Sequence, residues 1–179
     1  MPLWGKTATA DDNKPNWLTA EQLEQCYATS AGWVLKQPGG TEEILVAIGG
    51  LAGISAATGL KTATVTSMRF VQAAYAAGSR TITVEVTWDE AITVTGAPQL
   101  VVANDSSADH TLSYVGTGST ANRKRFTAAS QTVVEDDVLT IGGADITLNG
   151  GTLKDQGATP ADASLVLSGL TAVTSTVTA

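Results

Sequence analysis

The stretch from Arg80 to Pro98, RTITVEVTWDEAITVTGAP, constrains the fold more than any other part of the chain. In its first half, apolar residues alternate strictly with threonine and glutamate, which places one set of side chains on each face of a half-buried strand. The pattern breaks at Asp89-Glu90, resumes at Ile92 and ends in a Gly-Ala-Pro turn. The stretch therefore predicts two β-strands, and it contains no recognisable catalytic motif.

The composition fits a compact β-rich protein. The chain has 179 residues, of which 43% are hydrophobic and 15% charged, and its net charge is −7. An acidic balance disfavours nonspecific binding to nucleic acid or to an anionic membrane, so neither is expected as a partner. Cys26 is the only cysteine, so no disulfide can form within the chain, and its most common role would be that of a small buried residue.

Residues 1–60 are predicted to form an anchoring segment made of an N-terminal arm, a small β-hairpin and a Gly/Ala linker. The arm is polar but holds Trp4 and Trp17, large apolar residues that such a segment usually buries on its own domain or on a neighbour. A capping box at Thr19 and Gln22 predicts a short helical turn, with Leu18, Leu23 and Tyr27 on one face.

The hairpin is predicted from two extended apolar runs, 32–35 and 42–48, separated by a Gln-Pro-Gly-Gly turn. Its first strand carries Trp33. Two strands bury too little surface to be stable alone, so we expect the hairpin to pack on the main domain or on another chain. The small uncharged residues of 49–59 have the composition of a linker.

The predicted fold class is all-β, with an antiparallel β-sandwich over residues 61–170. Short apolar runs recur there between clusters of Gly, Pro, Asn, Asp and Ser, and no helical period intervenes. The predicted strands are 64–71, 80–88, 91–95, 99–103, 110–115, 124–128, 138–141, 146–148 and 165–167. Residues 171–179 are expected to form an extended tail, either a frayed terminus or a strand that pairs with the sheet of a neighbouring subunit.

No arrangement in the sequence predicts catalysis, a cofactor or a metal. His110 is the only histidine and is expected to be a solvated loop residue. Asp89-Glu90 and the acids at 135–137 lack the framework of a glycosidase, and calcium at a strand-end loop is a minor alternative. The basic run Arg123-Lys124-Arg125 is expected to be a solvated strand face, or else to pair with acids of a neighbouring subunit.

Residues 62–167 resemble a bacterial immunoglobulin-like repeat family found in adhesins, surface-layer proteins and phage virion proteins. The resemblance rests on a Tyr-x-x-Gly turn at 75–78, a strand ending in Asp89-Glu90, a Val-x-Gly-x-Pro turn at 94–98, and the closing segment from Leu148 to Asp155. It implies an Ig-like sandwich. The basic run at 123–125 departs from the family pattern.

The opening LWGKTATADDNKPNWL resembles the N-terminal signature of structural proteins in tailed phages of marine bacteria, particularly those that infect cyanobacteria. The run GWVLKQPGGTEEILVAIGGL resembles the small β module that often follows it. The resemblance implies a non-enzymatic virion protein, made in the host cytoplasm and located on the capsid surface. Its expected partners are the major capsid protein or other virion proteins, and a homo-oligomer such as a trimer is expected on a symmetric shell.

A capsid decoration or cement protein is the role expected first, with Trp4, Trp17 and Trp33 as the candidate interface anchors. A neck, tail or fibre component is the first alternative. A carbohydrate-binding adhesin is the second, and it would need Tyr75, Tyr114 or Trp88 exposed as a stacking platform, whereas the alternation predicts that Trp88 and Tyr114 lie in the core.

Overall fold

The computed structural model describes residues 14–15, 17–37, 39–52, 62–156 and 160–179. The fold is all-β, as predicted. The described residues contain one helix, α1, and thirteen strands. The helix is far too short and too polar to cross a membrane. The elements are α1 Ala20–Gln25, β1 Cys26–Thr29, β2 Gly32–Lys36, β3 Glu42–Ala47, β4 Val65–Phe70, β5 Tyr75–Ala76, β6 Gly78–Trp88, β7 Ile92–Thr95, β8 Gln99–Asn104, β9 His110–Val115, β10 Arg123–Val133, β11 Val138–Ile141, β12 Thr152–Asp155 and β13 Val173–Thr178.

The N-terminal module comprises the described residues up to 52. Its sheet is antiparallel with the order β1-β2-β3. The predicted capping box is confirmed, because the Thr19 hydroxyl accepts from the Gln22 backbone N–H and the Gln22 side chain accepts from the Thr19 N–H. The predicted hairpin is also present as β2 and β3, and β1 adds a strand on the other side of β2.

Two predictions for the module are wrong. Tyr27 does not continue the helical face, since the chain turns at Cys26 directly into β1 and buries Tyr27 in the sheet. Residues 49–52 were expected to belong to a linker, but Leu51 and Ala52 are buried in the module's own core. Both errors arise because the local composition of a segment does not show which tertiary contacts the segment makes. The rest of the predicted linker lies outside the described residues.

The sandwich comprises the described residues from 62 onward. Eight strands follow the order β4-β6-β10-β9-β8-β11-β13-β5, and β12 and β7 form a separate pair. All these pairings are antiparallel except that of β13 with β5. The core contains the inward-facing members of the alternating pattern in β6, namely Ile82, Val84, Val86 and Trp88, all fully buried. The alternation that predicted β6 therefore also predicted its buried face.

Two of the motifs on which the family resemblance rests contact each other in the structure. Gly96, in the Val-x-Gly-x-Pro turn, has φ of +70°, and a Cβ there would lie 2.7 Å from the Cα of Gly151. A Cβ on Gly151 would lie 2.3 Å from the carbonyl oxygen of Thr95. Glycine is thus required at both positions, by the close backbone approach and at Gly96 also by conformation.

The C-terminal segment is not a frayed terminus. Strand β13 pairs along four residues with β11 of the same chain and then with β5, so the segment belongs to the sandwich's own sheet. Val177 is 1% exposed and packs in the main core. This single buried valine, with Ser175 on the same face, anchors a strand whose composition shows few apolar residues.

Candidate functional site at the junction of the two parts

The module packs against one end of the sandwich, and this contact is the junction. Tyr27 of β1 and Val34 of β2 are buried against Ala91, with Ala121 beside them. The backbone N–H of Ala28 donates to the carbonyl oxygen of Asp89 at 2.7 Å, and Ala28 forms a parallel bridge with Glu90. Asp89 and Glu90, which interrupt the alternating pattern of the sequence, therefore belong to the surface of the sandwich on which the module packs.

Asp89 ties this place to the first strand of the sandwich. Its carboxylate accepts from the backbone N–H of Thr64 at 2.6 Å and from the Thr64 hydroxyl at 2.9 Å. The Asp89 N–H in turn donates to the Thr64 carbonyl at 3.1 Å. These bonds make Asp89 a structural acceptor at the start of β4.

Glu90 is fully buried, and neither of its carboxylate oxygens has a hydrogen-bond partner among the described residues. Burial raises the pKa of Glu90 to about 8, and the negative charges of Asp89 and Asp155 add to the effect. Among the described residues, no group of three or more His, Cys, Asp or Glu side chains is placed to hold a metal ion. Asp89-Glu90 was predicted only as the end of a strand, and no signal in the sequence indicated this burial.

The arginines of the basic run at 123–125 pair with a buried acid of the same chain. Glu85 of β6 is 2% exposed and accepts from Arg69 at 2.7 and 2.9 Å and from Arg125 at 2.8 Å, while Arg123 approaches it at 3.8 Å. These ion pairs lower the pKa of Glu85 against the opposing effect of burial, which is the largest single influence on it. The sequence signal was available, because Glu85 and Arg125 stand opposite each other if β6 pairs with β10.

Lys124 points to the other face of β10 and is 7% exposed. Its ammonium donates to the carbonyl of Thr120 at 2.7 Å, and burial lowers its pKa to about 8. The solvated strand predicted for this run is therefore wrong for Lys124, since alternation turns the middle residue inward.

A cleft of about 280 Å³ opens at the junction. Gln25, Lys36 and Gln37 line it from the module, together with the turn glycines that follow Gln37. Thr120, Asn122 and Arg123 line it from the sandwich. The lining residues that the structure describes include two cationic side chains and no acidic one.

The three predicted anchors have different positions. Trp33 is 1% exposed and packs in the module core with Cys26, Leu35 and Leu51, so it is not a surface anchor. The prediction fails for Trp33 because apolar residues of the module itself cover this side chain. Trp17 is 54% exposed just before α1. Trp4 lies outside the described residues.

His110 was expected to be solvated, and this is wrong. It is 5% exposed and lies in a polar network behind the β8–β9 loop. Its Nδ1 is 3.0 Å from Gln131 Oε1, and its Nε2 is 3.5 Å from the Asn104 amide nitrogen. The Asn104 amide also donates to Asp137 at 2.9 Å, and the Ser106 hydroxyl donates to the same carboxylate. The serine therefore contacts Asp137 and not the histidine, unlike a nucleophile with its base.

The aromatic residues considered as a sugar-stacking platform lie in or against the core. Trp88 and Tyr75 are buried, and Tyr114 is partly buried in an edge-to-face contact with Phe126. Trp88 donates its indole N–H to the carbonyl of Ser164 at 2.9 Å. Comparison with protein-family models, with curated proteins and with solved structures gives no match for this chain.

Proposed function

We propose that the protein is a non-enzymatic structural component of a tailed-phage particle, and that it decorates the capsid by attaching through its N-terminal module. The observation that carries the proposal is the exposure of Trp17. Its side chain is the largest among the exposed apolar residues of the described structure, and it lies on the module. Large aromatic side chains tend to dominate the binding free energy of protein interfaces.

The module's construction supports this role. One face of its sheet is used by its own core around Trp33, and the other packs on the sandwich through Tyr27 and Val34. Trp17 belongs to neither of these buried clusters. Binding to assembled shells would stabilise them because a ligand of the assembled state shifts the equilibrium towards that state.

Co-sedimentation with purified capsid shells tests the proposal. Truncation at residue 62 is a poor test, because it would expose Glu90 and the surface that Tyr27 covers. The variant Trp17→Ser in the full chain avoids this. We expect its affinity for shells to fall about 30-fold, the effect of losing roughly 2 kcal/mol at an aromatic anchor.

The matched control is Val134→Ser, which removes an equally exposed apolar residue from the sandwich, 54% exposed like Trp17. It should bind shells like the parent. Equal losses for both variants would contradict attachment through the module. Binding to tail particles or to host envelopes, without binding to shells, would favour the neck, fibre or adhesin alternatives.

A further inference from the structure

The cleft at the junction has a charge opposite to that of the whole protein. The chain carries a net charge of −7, yet Lys36 and Arg123 line the cleft and no acid does so within the described ranges. A concave site lined by one sign of charge focuses the field and attracts ligands of the other sign. The cleft is therefore suited to an anionic ligand.

Arg123 keeps its hydrogen-bond donors for such a ligand. The Glu85 carboxylate already accepts from Arg125 on one oxygen and from Arg69 on the other. Arg123 stands 3.8 Å from Glu85, beyond hydrogen-bonding distance, and no described residue accepts a hydrogen bond from its side chain. Three arginines thus surround one carboxylate. Arg123, which lies farthest from it, is the one that lines the cleft.

Lys36 lies across the cleft from Arg123 and likewise has no hydrogen-bond acceptor among the described residues. Glu42 and Glu43, at the start of the neighbouring strand β3, make other contacts. Glu42 accepts the hydroxyl of Tyr27, and Glu43 accepts the amide of Gln37 at 2.7 Å. The two cationic groups come from different parts of the protein, so the cleft exists only while the module is docked.

The lining indicates the chemical class of the ligand. The planar donors of a guanidinium match a carboxylate, and an ammonium adds a point charge to the same group. A volume of about 280 Å³ accommodates one or two amino-acid side chains. The described lining contains no aromatic residue on which a sugar ring could stack. We propose that the cleft binds an acidic peptide segment of a partner protein, with Lys36 and Arg123 as the residues that bind its carboxylates.

Fluorescence anisotropy with a labelled pentaglutamate peptide and the full-length protein tests the proposal, with pentaglutamine as the neutral comparison. We expect saturable binding of pentaglutamate alone, weakening as salt rises. Arg123→Gln and Lys36→Gln should each weaken it about tenfold, as expected for loss of one charge-assisted contact. Arg123→Lys keeps the charge but loses the planar donors, so its affinity for pentaglutamate should lie between those of the parent and of Arg123→Gln.

Lys154→Gln is the matched control, since it removes one exposed ammonium, paired with Asp162, that does not line the cleft. It should leave peptide binding unchanged. The proposal is overturned if pentaglutamate shows no saturable binding, if Lys154→Gln weakens binding as much as Arg123→Gln, or if glucuronate binds while the peptide does not. Shell binding of Arg123→Gln, measured separately, distinguishes failure here from failure of the attachment role.

Discussion

At the scale of single residues, the buried carboxyl of Glu90 makes the stability of the protein depend on pH. Its carboxyl is buried at the junction, where the described part of the chain offers it no hydrogen-bond donor, and its pKa rises from the ordinary 4.5 to about 8. In the unfolded chain the group ionises near its ordinary pKa, whereas in the folded protein it retains its proton until about pH 8. The contribution of Glu90 to stability is therefore greatest below pH 4.5 and declines as pH rises to about 8.

Glu90→Gln should remove this decline. The amide has nearly the same shape but no charge to bury, so the variant should be more stable than the parent by roughly 1–3 kcal/mol at mildly alkaline pH. Urea unfolding at a series of pH values measures the effect. The exposed Glu135→Gln serves as control and should keep the parent's pH dependence. A parent whose stability does not fall between pH 4.5 and 8 would refute the assignment.

At the scale of elements, Asp137 ties the end of β8 to the turn between β10 and β11. Its carboxylate accepts from Ser106 and Asn104 at the end of β8, and from the backbone N–H of Val134 after β10. Hydrogen bonds from Ser106, then Asn104 and Val134, lower the pKa of Asp137. Its contribution to stability is thus present above the ordinary pKa of 3.8 and is lost as pH falls through the lower folded value.

Asp137→Asn should lower the melting temperature at neutral pH, because an amide cannot accept all three bonds. Differential scanning fluorimetry across acid and neutral pH measures it. The difference from the parent should shrink on acidification, as the parent's own carboxylate becomes protonated. Asp136→Asn is the natural comparison, being exposed and at φ of +71°, which asparagine tolerates. A loss at Asp136 as large as that at Asp137 would rule out the network.

Periodicity was the part of the sequence that predicted elements well. The alternation around Val84 and Trp88 predicted both the strand and its buried face, since each apolar residue there falls on the same side. Charged residues were predicted poorly. Lys124 was expected on a solvated strand face and Glu85 on the polar face of a half-buried strand, and no position was predicted for Glu90, but all three are buried. Their environment depends on long-range pairing, which a local pattern does not encode.

The pairing of β13 within its own chain was not predicted, for a related reason. Its residues alternate weakly, and one buried valine gives little apolar signal, so pairing with β11 determines its structure. Trp33 illustrates the same limit in the candidate site. A tryptophan in a polar segment predicts burial somewhere, but the sequence does not say whether in the chain's own core or in an interface.

At the scale of the whole molecule, the module and the sandwich are joined by a compact contact at Asp89, Glu90 and Ala91. Trp17 lies on the module's exposed surface and the cationic cleft lies at the junction. In the proposed arrangement the module therefore faces the particle, and most of the sandwich points away from it. In this proposal the module attaches the protein to the particle, and the sandwich of the same chain projects from it.

Cryo-electron microscopy of purified capsid shells incubated with the full-length protein tests this arrangement most directly. The account predicts added density at symmetry-related positions on the shell, with the module against the shell surface, Trp17 in the contact and the sandwich outermost. Shells without added density at saturating protein, or density in which the sandwich makes the contact and the module is outermost, would contradict it.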